Sequence, residues 1–376
     1  MATRQIRSIA LAALAAATTI GGVQAGGLEA NGYNWDLLFD PATYAGKGTV
    51  THVIINHEVS NAALPGLGTV TTSPTHYYYN FAAKADLLDN ASCLVSVQNP
   101  FGSGTDRNAT YAAITGQSIR ERITSNDIGL TCDYGFGVGP GMLSVIGGIS
   151  AQTLNYDATV PLGLPPVPGG DVSLSGSAVG WRAGLAYEVP EIALRVSAIY
   201  NSANDYNLSG RASLGASLPA AASVTTPQSI EVKAQSGIAP GWLALGSIKW
   251  VNWSVLNALT VTTVPGGPAL QTVLNYEDGW TISAGVGHQL TDELTVLGSL
   301  TWDRGTSREN ASGVLLNGTQ TDRWGASLGA AYKPTENFEL SGGVSYSLTG
   351  SGSNLLGERW ETGNVLAFSL SAKASF

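Results

Sequence analysis

The last ten residues, AFSLSAKASF (367–376), decide the fold. Read backwards from Phe376, alternate positions are apolar: Ala374, Ala372, Leu370 and Phe368, with Leu366 just before the stretch. Between them stand Ser375, Lys373, Ser371 and Ser369. Period-two alternation is the mark of a strand with one apolar and one polar face. The same pattern returns in WTISAGVGHQL (280–290), LTVLGSLTWD (294–303), RWGASLGAAY (323–332) and FELSGGVSYSL (338–348). The polar face in each is Ser, Thr and Gly, with an occasional Lys or Glu.

Composition says what the apolar face meets. Only 12% of the 376 residues are charged, about half the usual share for a soluble domain. No apolar run in the body of the chain is long enough for a spanning helix. Trp (9) and Tyr (14) outnumber Phe (7), as expected where side chains sit between hydrocarbon and water. Tight turns (GVGPG near 138, VPEI near 190, APG near 239, TDE, KPTEN) alternate with longer loops. Strands of about ten residues, short turns at one end and long loops at the other are the signature of a transmembrane β-barrel. Fourteen such segments are expected, the first at 50–59 and the last at 362–376. Aromatics near strand ends (Trp181, Tyr187, Tyr200, Trp242, Trp250, Trp280, Trp302, Trp324, Tyr332, Phe338, Tyr346) are expected in two girdles. A soluble β-sandwich would leave the turn–loop alternation and the low charge unexplained.

The domain reading has three parts. Residues 1–25 form an export signal: Arg4 and Arg7, the apolar SIALAALAAATTI (8–20), then Val23-Gln24-Ala25. Residues 26–48, GGLEANGYNWDLLFDPATYAGKG, lack alternation but carry Trp35, Leu37, Leu38 and Phe39, ahead of Asp40 and Pro41. A disordered tail seldom holds so many large apolar side chains, so they are expected to fold inward as a plug. Residues 49–376 form the barrel.

Several readings bear on function. The loop stretches TVPLGLPPVPGG (159–170) and SLGASLPAAASV (213–224) are apolar, so Leu162, Leu164, Val167, Leu214 and Leu218 are candidate contacts for a hydrophobic ligand. In the third strand, Pro100 lacks an N–H and Gly102 weakens the ladder, so Asn99, Pro100, Phe101 and Gly102 mark a candidate opening in the wall. Inward Arg182, Arg195 and Lys249 are candidate contacts for a carboxylate, or members of a solvated charge ladder. Cys93 and Cys132 share the outward parity, and hairpin geometry allows them to face each other. A disulfide and two separate small side chains both remain open.

Other chemistries fit poorly. A net charge of −9 argues against nucleic acid. The four His form no metal pair, no Gly-x-Ser-x-Gly elbow is present, and GFGVGPG (135–141) joins two strands and reads as a turn. No enzyme, catalytic residue, metal or cofactor is expected.

The chain resembles the FadL/TodX family of outer-membrane transporters for long-chain fatty acids and aromatic hydrocarbons. SVQNPFGSGTD (96–106) is similar to the family's third-strand segment. GWRAGLAYEVPEIALRVSAIYNSANDYNLSG (180–210), PGWLALGSIKWVNWS (240–254) and NYEDGWTISAGVGHQLTDELTVLGSLTWDRG (275–305) resemble its sixth to eleventh strands. Asp40-Pro41-Ala42 stands where the family has Asn-Pro-Ala. The resemblance implies a 14-stranded barrel with an N-terminal hatch (26–48) in the outer membrane of a Gram-negative bacterium. It also implies ligand capture by two outer loops (158–173 and 211–225), an apolar pocket, hatch movement and sideways exit at Asn99–Gly104. The expected partners are a hydrophobic small molecule and outer-membrane lipid, with the chain a monomer. A water-filled porin and a structural or adhesive barrel are the alternatives.

Overall fold

The computed structural model describes residues 27–376 apart from 62–63, 68, 72–74, 264–269 and 317. The expected leader (1–25) lies outside the described residues. Fourteen antiparallel strands close into one barrel. They are β1 (Tyr44–Asn56), β2 (His76–Leu88), β3 (Ala91–Gln98, resuming at Gly102–Asp106), β4 (Arg120–Val138), β5 (Gly141–Val160) and β6 (Gly170–Val189). Then come β7 (Leu194–Asn201 and Asn204–Ser213), β8 (Ser217–Thr226 and Ser229–Ala239), β9 (Trp242–Val251 and Ala258–Thr263) and β10 (Leu270–Val273 and Gly279–Gln289). β11 (Leu294–Asp303), β12 (Arg323–Thr335), β13 (Phe338–Thr349) and β14 (Gly363–Ser375) complete the wall.

Closure is made by β1 on β14, in register from Ala45↔Ser375 to Asn56↔Asn364. Every strand therefore has two neighbours, which is what lets a sheet cross hydrocarbon without an edge. The C-terminal alternation resolves as read: Phe368 and Leu370 are 46% and 69% exposed, whereas Ser369 and Ser371 are 7% and 2% exposed. Inside, Ser371 and Ser369 pair with the Thr49 and Thr51 hydroxyls of β1. Outside, Trp324, Leu328, Leu340, Val344 and Tyr346 carry the same outward parity. Cys93 and Cys132 lie opposite each other on β3 and β4 and form a disulfide.

Two boundaries differ from the sequence reading. β1 begins at Tyr44, so residues 44–48 belong to the wall and the plug is confined to 27–43. The small residues of Tyr44–Gly48 hid the pattern, but Gly46 and Gly48 pair on both sides. The second expected capture loop is mostly strand: β7 and β8 stay paired up to Ser213↔Ser217, and only Leu214–Ala216 turn. Its low polarity reflects an inward face of Leu208, Ala212, Ala220 and Ala222 packed with Leu174 and Val261.

Candidate transport site

The segment ahead of β1 packs against the inward face of the wall. Trp35, Leu37, Leu38 and Phe39 are all buried, clustered with Leu94, Ile146, Ile199 and Trp253 of the wall. Asp36–Phe39 forms a single 3-10 turn. Asp40 is buried and Pro41 is exposed at the exit of the plug.

Charge fixes the plug to the wall at several points. Lys233 of β8 holds the Asp36 carboxylate at 2.9 Å and lies over the Trp35 ring. Lys373 of β14 reaches Asp40 at 2.9 Å, and Lys84 of β2 donates to the Asp40 and Ala42 carbonyls. Lys249 of β9 pairs with Glu29. Arg195 of β7 stacks on Phe39, donates to its carbonyl at 3.2 Å and pairs with Glu188 at 2.7 Å. Arg182 of β6 lies over the Tyr33 ring and pairs with buried Asp127 at 3.5 Å. Arg182, Arg195 and Lys249, considered from sequence as carboxylate contacts, thus have their charges engaged by the plug or the wall. A polar group buried without partners is costly, which accounts for this dense pairing.

Sequence reasoning missed the neutral network around Gln152 of β5. Its amide nitrogen donates to the Tyr33 hydroxyl, and its oxygen accepts from Asn204 and from the Tyr206 hydroxyl. Long polar side chains on the inward parity of a barrel strand, such as Gln98 and Gln152, are the signal that could have found it.

β3 is interrupted between Gln98 and Gly102. Asn99, Pro100 and Phe101 sit opposite only two residues of β4, Ser125 and Asn126, so the strand carries one extra residue there. This is a bulge, which bends a strand and ends its regular pairing. On the other edge, the β2 ladder stops at Asn80↔Gln98. Among the described residues, no position of β2 beyond Asn80 pairs with Gly102–Asp106, and Tyr77–Tyr79 pair with β1 alone. The wall is therefore unzipped between β2 and the outer half of β3. The start of the plug takes up the freed backbone groups: Ala30 and Gly32 donate to the Pro100 carbonyl, and Gly102 donates to the Leu28 carbonyl at 2.9 Å. Buried peptide groups need such partners.

Beside the break lies a small apolar pocket, partly open at its mouth. The plug's Leu28, Phe101 of the break, Ile123, Leu154, Trp253 and Leu259 are among the residues that line it. Above it, the β5–β6 loop exposes Leu162, Leu164 and Val167, while Leu214 and Leu218 are half-buried at the β7–β8 turn.

At the loop end of the barrel, four loops are knotted around Glu358. Its buried carboxylate accepts from the Tyr111 hydroxyl at 3.0 Å, Gln117 at 2.9 Å and Asn354 at 2.7 Å. Burial and the neighbouring carboxylate push the Tyr111 phenol up to about 12. Val59, Leu315 and Trp360 pack together alongside.

The model of the family described as "Outer membrane protein transport protein (OMPP1/FadL/TodX)" matches residues 95–375. This chain belongs to that family. Among curated FadL/TodX relatives, outer membrane protein P1 of Haemophilus influenzae is 28% identical over 174 residues, 44% of this chain and 37% of that protein. The alignment thus spans little more than a third of that relative. The long-chain fatty acid transport protein of Salmonella typhi is 22% identical over 342 residues, covering 82% of this chain and 78% of the relative. Among solved structures, a Pseudomonas aeruginosa FadL homologue superposes with TM-score 0.74 at 16% identity, covering 96% of this chain and 98% of that one. The P. putida toluene transporter TodX gives 0.67 at 15%, with the same coverage. These likenesses establish the barrel fold. Family and fold together place the protein in the Gram-negative outer membrane.

Proposed function

We propose that this protein is a channel for passive uptake of hydrophobic compounds, long-chain fatty acids or related hydrocarbons. The observation that carries the reading is Phe101, which lines the apolar pocket and also sits in the break of β3. One side chain thus joins a binding cavity to an unzipped stretch of wall. In this reading a ligand lands on the exposed Leu162, Leu164 and Val167, passes Leu214 and Leu218 and enters the pocket. The plug start then moves off Pro100 and Gly102, and the ligand leaves sideways into lipid. No covalent step is required. The relatives named for long-chain fatty acid and toluene transport support this class of cargo. The barrel closes within one chain, which supports a monomer. Residues 1–25 serve as the export leader in this reading.

The test is uptake by Gram-negative cells depleted of porins, with and without this protein, using a radiolabelled hydrocarbon. Faster initial accumulation with the protein, together with little stable single-channel conductance in planar bilayers, is expected. Large steady conductance with no gain in hydrocarbon accumulation would establish a porin instead.

A further inference from the structure

We propose that Glu121 makes the pocket selective for neutral hydrocarbons over carboxylates of the same size. The inference rests on the transport reading above and narrows its cargo.

Glu121 and Ile123 lie two apart on β4 and so project to the same face of the strand. Ile123 lines the pocket, and Glu121 stands one inward position nearer the loops. The carboxylate is held in place. Its Oε1 accepts from the Tyr156 hydroxyl at 2.9 Å and from Thr272 at 3.2 Å. Tyr156 is itself a lining residue. The tyrosine's proton is thereby committed to Glu121, and the hydroxyl of the lining residue Thr226 donates to the Asn204 carbonyl, so neither is offered to a ligand.

A carboxylate ligand would need a cation, and the nearby cations are occupied. Arg107 lies 3.9 Å from Oε2 and donates to the Ser118 carbonyl at 3.2 Å; it and Glu121 both stand just outside the lining residues, paired with each other. Arg122 pairs with Asp106 at 2.8 Å. Deeper in the barrel, Arg182 pairs with Asp127, and Lys249 with Glu29, next to the lining residue Leu28. An anionic head group in this cavity would meet carbon, and a like charge beyond its outer end. Desolvating a charge without a partner is strongly unfavourable, and a nearby like charge adds to the cost. A neutral hydrocarbon meets neither penalty.

The experiment uses the full chain in porin-depleted cells at pH 7.5, with labelled ethylbenzene and labelled benzoate as size-matched probes. Cells with the unaltered protein should accumulate ethylbenzene above the empty-vector rate and benzoate at that rate. Glu121→Gln should raise benzoate entry at least tenfold while ethylbenzene entry stays within twofold. Thr272→Val, which removes a hydrogen bond to Glu121 and keeps the charge, should leave the discrimination intact and so separates charge from packing. Heat-modified gel mobility checks that each variant forms the barrel. Equal entry of the two probes through the unaltered protein overturns the inference and spares the transport reading. So does a Glu121→Gln variant with an unchanged ratio, or a Thr272→Val variant that loses discrimination as fully as Glu121→Gln. Failure of both probes to exceed the empty vector overturns the transport reading and this inference together.

Discussion

The hydroxyl of Tyr79 on β2 donates a 2.6 Å hydrogen bond to the side-chain oxygen of Asn126 on β4, reaching past the strand between them. The same oxygen accepts from the Asn99 amide at 2.9 Å, and Asn99 also receives the Tyr79 backbone N–H. Asn126 shares its parity with the exposed Ile128 and Leu130, so this polar cluster sits on the lipid side of the break. Where no ladder joins β2 to the outer half of β3, three side chains do. Tyr79→Phe removes one bond of this latch, worth about 1 kcal/mol or up to roughly fivefold in an opening equilibrium. Hydrocarbon uptake by that variant should rise by up to that factor, while Tyr77→Phe leaves it unchanged. Unaltered uptake in Tyr79→Phe would show that the latch does not limit flux.

The extra residue in β3 gives a second, opposite lever. Deleting Asn99 lets β3 run opposite β4 residue for residue and removes the bulge. Barrel assembly, followed by heat-modified gel mobility, should persist, and hydrocarbon uptake should fall toward background. Normal uptake in this deletion would refute exit through the wall.

The wall was legible in the sequence because one rule, alternate residues out and in, is enforced at every position by lipid outside and polar groups inside. Phe368, Leu370 and Trp324 follow it directly. The break was legible because Pro100 and Gly102 disturb a ladder wherever they occur. The plug was legible only as a segment. Which wall cation meets which plug carboxylate depends on how the barrel closes, so Lys233–Asp36 and Lys373–Asp40 could not be read from spacing. The charges of Arg182, Arg195 and Lys249 were visible, but their partners Asp127, Glu188 and Glu29 were not, and partners decide whether a cation is available to a ligand. The extent of β7 and β8 was obscured by Ala and Ser, which carry little alternation signal. The Cys93–Cys132 pairing was left open by sequence, because outward parity permits facing thiols without requiring a bond.

Gly27 starts the plug with φ of +57°, a region that L side chains occupy reluctantly. A Cβ there would come within 2.5 Å of the Trp253 ring, which is itself buried. The Gly27 N–H donates to the Thr306 hydroxyl at 3.0 Å. Gly27→Ala is therefore expected to displace the plug start, at a cost of about 1–2 kcal/mol for the backbone alone. Bilayer recordings should show frequent small openings absent from the unaltered protein. A silent Gly27→Ala barrel would show that residues 28–32 hold their place without this anchor.

Lys233 and Asp36 are the clearest plug-to-wall ion pair, with the lysine partly exposed and the carboxylate nearly buried. Losing one partner of a fully buried pair costs about 3–5 kcal/mol. Partial exposure of Lys233 brings the expected cost nearer 2 kcal/mol. Asp36→Asn and Lys233→Met should each raise channel noise and hasten proteolysis within 27–43. The double variant should recover part of the loss, because neither charge is then left alone. Additive losses would show that the two groups act separately.

His57 supplies the pH dependence. It is buried beside the Trp360 ring at the loop end, and burial lowers its pKa below the ordinary 6.5, with the Glu358 carboxylate opposing the shift. A group with a depressed basic pKa is protonated first in the opened or unfolded chain. Stability is therefore present above about pH 6.5 and is lost as pH falls below that value toward the folded pKa. Hydrogen exchange should show the loop knot around Glu358, namely 57–61, 109–117 and 354–360, protected at pH 8 and opened at pH 5. The barrel strands should stay protected at both. His57→Phe keeps an aromatic ring in the cavity and removes the titration, so it should flatten the response. If the acid-induced opening persists in His57→Phe, His57 is not the group that loosens the loops.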